Sequence, residues 1–205
     1  MKKILLLSFL GLGCFSSAIA QNSTPPVTTS DVQEVKSDYK PVRFLFGGAF
    51  EFGGDEVAKV YFTNGQDQSV RAGQGVSIAI GAEYQFKNVE QLLLRATIGY
   101  KYVTTQADNA HIRLTRVPMH FTANWMATEK LRFGAGIVTH RAINFNADGI
   151  GDNISIKPAT GTVFEVAYSG IGLSYTAMKY KDQTNFSYSA NAIGVTITGV
   201  LPRRN

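Results

Sequence analysis

The 205-residue chain carries 20 Lys and Arg against 15 Asp and Glu, 44% hydrophobic residues, 20 glycines, 6 prolines and one cysteine. A formal charge of +5 is too mild to point to nucleic acid, the glycine and proline content suits a turn-rich β protein, and one cysteine excludes a disulfide framework. No stretch reaches the roughly 20 apolar residues that a spanning helix needs, which excludes a helical membrane protein.

Lys2 and Lys3 precede an apolar run from Ile4 to Gly13 and an Ala18-Ile19-Ala20 site before Gln21, the layout of a signal peptide over residues 1–20. Cleavage there removes Cys14 and leaves 18 basic against 15 acidic residues. Leu12-Gly13-Cys14 offers lipidation as a rival, but Gly11 stands where that motif wants an aliphatic residue. Residues 21–41, with Ser23-Thr24-Pro25-Pro26 and Thr28-Thr29-Ser30, hold no sustained period and read as a flexible periplasmic leader.

From Val42 the period becomes two, as in strands whose side chains alternate between faces. Segment one sets Phe44, Phe46, Phe50 and Phe52 opposite Arg43, Leu45 and Glu51. Segment two sets Val76, Ile78, Ile80, Tyr84 and Phe86 against Ser77, Ala79 and Glu83. In segment three Leu92, Leu94, Ile98, Tyr100 and Tyr102 oppose Leu93, Arg95, Thr97 and Lys101. Segments four and five place Val117, Met119, Phe121 and Trp125, then Leu131, Phe133 and Ile137, against Arg116, His120 and Asn124, then Arg132 and His140. Segments six (Thr162 to Tyr168), seven (Ile171 to Tyr180) and eight (Tyr188 to Leu201) continue the habit, and residues 202–205 form a tail.

The connections 87–91, 126–130 and 169–170 have hairpin lengths, whereas 53–75, 104–111, 144–161 and 181–187 are longer, and the two kinds fall on opposite rims. Facing residues in an antiparallel hairpin share an index sum and a face. Turning about Val89 pairs Tyr84 with Leu94, Ala82 with Ala96 and Glu83 with Arg95. Turning about Thr128 pairs Trp125 with Leu131, Ala123 with Phe133 and Met119 with Ile137; a Ser169-Gly170 turn pairs Tyr168 with Ile171, Val166 with Leu173 and Glu165 with Ser174.

Alternation alone leaves open which face is outside, and a soluble lipocalin-like binder would bury the apolar one. The polar face decides for the lumen, because it is rich in Gly, Ala, Ser and Thr with few ionisable groups, as suits the narrow interior of eight strands. Aromatic residues agree. Phe44, Tyr84, Phe86, Trp125, Phe133 and Tyr168 fall near the short-turn rim, and Phe50, Phe52, Tyr100 and Tyr102 near the other, as two interfacial girdles. The predicted fold is an all-β, eight-stranded, antiparallel up-and-down transmembrane barrel over residues 42–201.

Signal, leader and eight strands with alternating connection lengths resemble the small OmpA- and OmpX-type outer-membrane β-barrels of diderm bacteria. The resemblance rests on architecture and carries no chemical motif, so it speaks for fold more than role. It implies a monomer in the outer membrane, with membrane lipid and the outer-membrane assembly machinery as partners, a candidate extracellular ligand at the long loops, and no cofactor. Such barrels usually end in an aromatic residue, where this chain ends Val200-Leu201-Pro202-Arg203-Arg204-Asn205.

The chemistry lies on the inward face, where Arg43, Glu51, Glu83, Arg95, Lys101, Arg116, His120, Arg132, His140 and Glu165 form a lumen charge network. Buried charges must be paired, so a structural plug is the plainer reading, while five cations against three carboxylates would favour small anions in a narrow pore. Asn144 to Asp152 imitates the start of a calcium loop, but Asn144 holds the first position and Ser155 the twelfth, so a turn-forming cluster is preferred. The first long connection mixes Tyr61, Phe62, Asp55, Glu56, Asp67 and Arg71, a set able to dock a partner or fold on itself. Catalysis finds little support: His111 alone lies near a loop, and neither a G-x-S-x-G motif nor a metal-spaced histidine pair occurs. The function expected is non-enzymatic, in envelope structure or surface interaction, with selective permeation as the main alternative.

Overall fold

Uninterrupted alternation closes a sheet into a cylinder when every strand finds two neighbours. The computed structural model describes residues 40–61, 67–107, 110–147 and 153–202. In chain order the strands are β1 (Val42–Phe52), β2 (Glu56–Tyr61), β3 (Asp67–Arg71), β4 (Gly75–Gln85), β5 (Leu92–Ala107), β6 (Ala110–Met126), β7 (Leu131–Asn146), β8 (Ile154–Ile156), β9 (Ala159–Tyr168), β10 (Ile171–Ala177), β11 (Lys179–Lys181), β12 (Ser187–Ser189) and β13 (Ala192–Leu201). Eight of them form a closed antiparallel ring in the order β1, β4, β5, β6, β7, β9, β10, β13, with β13 pairing back onto β1. Closure leaves no unpaired sheet edge around the ring. The expected signal peptide, the expected leader through residue 39, and residues 203–205 lie outside the described residues.

The apolar face points outward. Phe50, Ile80, Ile98, Phe121, Ile137, Phe164, Leu173 and Ile193, one from each barrel strand, are 47–63% exposed. Leu45, Leu93, Val138 and Val163 face inward and are buried with the charged residues. A lipocalin-like arrangement would need the reverse, and the structure overturns it.

Two of the three predicted hairpins have the expected register: Tyr84 faces Leu94 and Glu83 faces Arg95, while Tyr168 faces Ile171 and Glu165 faces Ser174. Ser169 and Gly170, at φ of 51° and 89°, form the two-residue turn of the latter, a geometry whose twist matches that of the strands it joins. The β6–β7 hairpin differs by two residues. Trp125 faces Phe133, Ala123 faces Ala135 and Met119 faces Thr139. Here the Thr128 hydroxyl takes the Lys130 and Leu131 N–H groups, and the Ala127 N–H reaches the Leu131 carbonyl. The index sum thereby rises by two as the turn centre moves from residue 128 to residue 129, and a slip of two preserves every face.

The longer connections carry more structure than their sequence suggests. β5 and β6 run to Ala107 and from Ala110, so the expected 104–111 loop is mostly ladder. Residues 56–61 and 67–71 pair as β2 and β3, and β8 adds to β7 within 144–161. The expected last segment divides, Tyr188 belonging to β12 and β13 starting at Ala192.

On β7 an extra residue sits between Arg141, which faces Val117, and Asn144, which faces Thr115. That residue, Ala142, has φ 47°, and the bulge reverses the faces beyond it. Ile143 and Phe145 consequently point inward and join Val70, Ala72, Val103, Ile112, Leu114, Met178, Tyr180 and Ala190 in an apolar core at the long-connection end.

The β11–β12 hairpin turns on Asp182, whose carboxylate accepts the Thr184 hydroxyl at 2.7 Å and the Phe186 N–H at 2.9 Å. The Thr184 hydrogen bond, followed by that from Phe186, holds the Asp182 carboxyl below its ordinary range. A depressed folded pKa gives stability present above the unfolded pKa and lost as pH falls through the folded one. Amide exchange at Phe186 should therefore quicken in acid below the usual aspartate range, and Asp182→Asn should exchange faster at neutral pH without that acid step.

Candidate functional site

Inward parity puts the ten predicted network residues inside the cylinder, where they form two layers separated by a cavity. Near the short-turn rim β1, β4 and β5 converge on Glu83, which is fully buried. Arg43 Nη2 lies 3.1 Å from Glu83 Oε1, and Arg95 donates to Oε2 from Nε at 2.6 Å and from Nη2 at 2.5 Å. Arg43 also donates to Gln85 Oε1 at 2.7 Å, and Gln85 in turn donates to the Glu90 carbonyl of the turn. Across the lumen Arg132 meets Glu165 at 2.7 Å and donates to Asn124 Oδ1, while Thr196 donates to Glu165 Oε1 at 2.5 Å. Fixed carboxylates with several donors are what low-dielectric burial of guanidinium groups demands.

Above this layer lies a cavity of about 110 Å³, lined among others by Gly47, Gly48, Thr97, His120 and Thr176. Small side chains leave the space. His120 borders it, and Glu51, Arg95 and Glu165 reach it from the two layers.

The second layer closes the long-connection end. Lys101 and Arg116 face each other across β5 and β6, an adjacency that repels unless negative charge is brought between them. Glu51 supplies one carboxylate, 2.8 Å from Lys101 Nζ. The remainder comes from backbone: Lys101 donates to the Gly73 carbonyl at 2.8 Å, and Arg116 to those of Ala72 at 2.7 Å and of Gln74. Two cations thus draw residues 72–74 into the barrel mouth. Gly54 (φ 83°) lets this connection press close, since a Cβ there would meet the Ser189 carbonyl at 2.8 Å. His140 Nδ1 lies 2.5 Å from the Tyr180 hydroxyl, beside the apolar core.

The structure thus gathers Arg43, Glu83 and Arg95 into one cluster, Arg132 and Glu165 into a second, and Glu51, Lys101 and Arg116 into a third, leaving His120 at the cavity and His140 on Tyr180. Sequence reasoning missed Gln85, Asn124, Thr196 and Tyr180 as network members. All four continue the inward parity of their strands, which was the available signal. The carbonyls of residues 72–74 carry no side-chain signature and could not have been found that way.

On the outer face, Phe44, Tyr84, Trp125, Phe133 and Tyr168 are exposed towards the short-turn rim, and Phe50, Phe52 and Tyr100 towards the other. Phe86 and Tyr102 are half-buried, Phe86 against the Tyr84 ring at 5.0 Å. Phe46, Phe121 and Phe164 are also exposed between the two sets, so the belt is aromatic through its middle as well. Of the calcium-like loop, Asn144 and Asn146 stand on β7 with Phe145 buried between them, while residues 148–152 lie outside the described residues. In the first long connection Asp55, Glu56, Asp67 and Arg71 line the β2–β3 hairpin, Tyr61 ends β2, and Phe62 lies outside the described residues. His111 sits near the start of β6.

No protein-family model matches the chain, and no curated protein does. Among solved structures, Neisserial surface protein A is 13% identical with a TM-score of 0.41, the match covering 77% of this chain and 97% of that one. Ail, the attachment invasion locus protein of Yersinia pestis, is 8% identical with a TM-score of 0.39, and 10% identical with 0.40 in its complex with the heparin analogue sucrose octasulfate, both at the same coverages. By its own geometry, a ring of eight antiparallel strands in chain order with charge inside and an apolar belt outside, the chain has the architecture of the small OmpA- and OmpX-type barrels.

Proposed function

We propose that this chain is a non-enzymatic barrel of the bacterial outer membrane, plugged along its lumen, which serves envelope structure or surface interaction through its long connections. One observation carries the reading: large apolar side chains are exposed on all eight strands, while the barrel's charged groups are buried inside. In water that inversion would leave an apolar patch far beyond what a monomer keeps, whereas a bilayer covers it. The β2–β3 and β11–β12 hairpins are the natural surfaces for a partner outside the cell. Fractionation of the envelope tests this, with gel mobility in detergent compared before and after boiling. A compact band in the outer-membrane fraction that shifts on heating is expected, and a soluble periplasmic protein without a shift would sink the proposal.

A narrow anion-favouring pore is the second reading, favoured by the cavity and by five lumen cations against three carboxylates. Pairing within each layer and the 72–74 segment across the mouth support the plug instead. In planar bilayers the parent chain should give no resolved conductance steps, and Lys101→Met with Arg116→Met should admit small ones by releasing that segment. Steady conductance of the parent, unchanged by the pair, would favour the pore.

A further inference from the structure

The charges enclosed in the lumen do not balance: its five cations face three carboxylates, an excess of two. The excess is divided between the layers. Near the short-turn rim Arg43 and Arg95 share Glu83, while Arg132 has Glu165 to itself. At the other end Lys101 and Arg116 have Glu51 between them, and the carbonyls of residues 72–74 soften what is left. The bare charge is therefore single and lies at the Arg43–Glu83–Arg95 cluster. Charge without a counter-charge is costly in a low-dielectric interior, and arginine does not escape the cost by losing its proton.

The cavity between the layers is where a counter-charge can stand. On its β5–β6 wall four lining residues form a square, Arg95 facing Thr122 and Thr97 facing His120. Each has a donor to spare. Arg95 spends Nε and Nη2 on Glu83, which leaves Nη1. The Thr122 hydroxyl accepts from Asn124 Nδ2 at 2.9 Å and keeps its own proton to give. Thr97 and His120 make no side-chain hydrogen bond among the described residues, although a hydroxyl and an imidazole each carry a donor.

We infer that Arg95, Thr97, His120 and Thr122 bind a small monovalent inorganic anion of the chloride kind, resident in the lumen between the two charge layers. The site rests on the plugged lumen proposed above and differs from a pore in that the ion is held, not passed. Both carboxylates that reach the cavity are already engaged, Glu51 by Lys101 and Glu165 by Arg132 and Thr196, so neither competes for these donors. A water needs about 10–15 Å³ of such space, so 110 Å³ takes a halide with several waters around it.

The test is urea unfolding of the full chain in neutral detergent, read by tryptophan fluorescence, with sodium chloride exchanged for sodium gluconate at constant ionic strength. An ion held by the folded state alone raises the folding equilibrium constant by up to about tenfold per decade of its concentration once the site is filled. Chloride and bromide should do this for the parent chain, and should outdo sulfate, reversing the general order in which sulfate strengthens burial. Thr122→Asp sets a carboxylate opposite Arg95 and should abolish the chloride dependence, whereas Thr122→Asn should keep it. Thr97→Val, alike in shape but without the donor, should weaken chloride about tenfold, and it serves if Thr122→Asp does not fold. Bromide in crystals of the parent chain should give an anomalous scattering peak on the β5–β6 wall. Coincident midpoints in chloride and gluconate would overturn the inference, as would a chloride dependence unchanged in both Thr122→Asp and Thr97→Val. Resolved conductance steps from the parent chain would instead bring down the plug, and a resident ion with it.

Discussion

Replacing Ile80 by arginine is expected to cost about 2–4 kcal/mol in lipid vesicles, the penalty for a cation at mid-depth on the outer face of a membrane barrel. Ile80 faces Phe46 on β1 and Ile98 on β5, both exposed and apolar, so an arginine there finds no carboxylate on the outer face of either neighbouring strand. Thr139→Arg, at the upper edge of the belt, should cost only about 0–1 kcal/mol, because the penalty fades towards the interface. Were the belt washed by water, both changes would stay within about 0.5 kcal/mol. Urea unfolding in vesicles reads the difference through Trp125, the only tryptophan, which stands on the outer face of β6. Equal small effects at the two positions would place the apolar face in water and remove the case for an outer-membrane barrel.

Glu83→Gln should be the most damaging single change inside the lumen, at about 3–5 kcal/mol, since one buried carboxylate serves two buried guanidinium groups. Glutamine keeps the size and one acceptor but leaves Arg43 and Arg95 facing each other without a counter-charge. Replacing Arg43, Glu83 and Arg95 together by methionine should recover much of the loss, because apolar packing can stand in for a whole ion cluster where it cannot stand in for one member. The same urea titration measures both. A Glu83→Gln loss under about 1 kcal/mol would mean that water reaches the two arginines freely, which is the condition for permeation.

The eight strands were legible because a narrow barrel between lipid and a packed lumen imposes strict alternation over its whole height. Glu83 opposite Arg95 and Glu165 opposite Ser174 followed from index sums alone. The β6–β7 register did not, since a slip of two leaves Trp125 and Phe133 on the same face in either pairing, and only the hydrogen bonds to Thr128 distinguish them. Beyond the belt the period lost its meaning. There β2, β3, β8, β11 and β12 pack on an ordinary apolar core, and Ala142 turns the end of β7 over without any glycine to mark it. The lumen residues were visible as inward charges, but their grouping into clusters was not, and the hold of Lys101 and Arg116 on residues 72–74 depends on carbonyls that every sequence possesses.

The apolar core beyond the belt gives the barrel a direction. Its members come from three of the long connections and from the barrel strands that flank the other: Val70 and Ala72 from the first connection, Val103 on β5 with Ile112 and Leu114 on β6, Phe145 and Ile156 from the third connection, Tyr180 and Ala190 from the last. They can meet only after every long connection has crossed to the same side. Once packed, each large side chain would lose about 1.5–3 kcal/mol on returning to water, so withdrawing any one strand end must first dismantle the whole cluster. In a chain that spans the outer membrane as proposed, the core would act as the head of a rivet, formed after passage and opposing withdrawal of the strand ends.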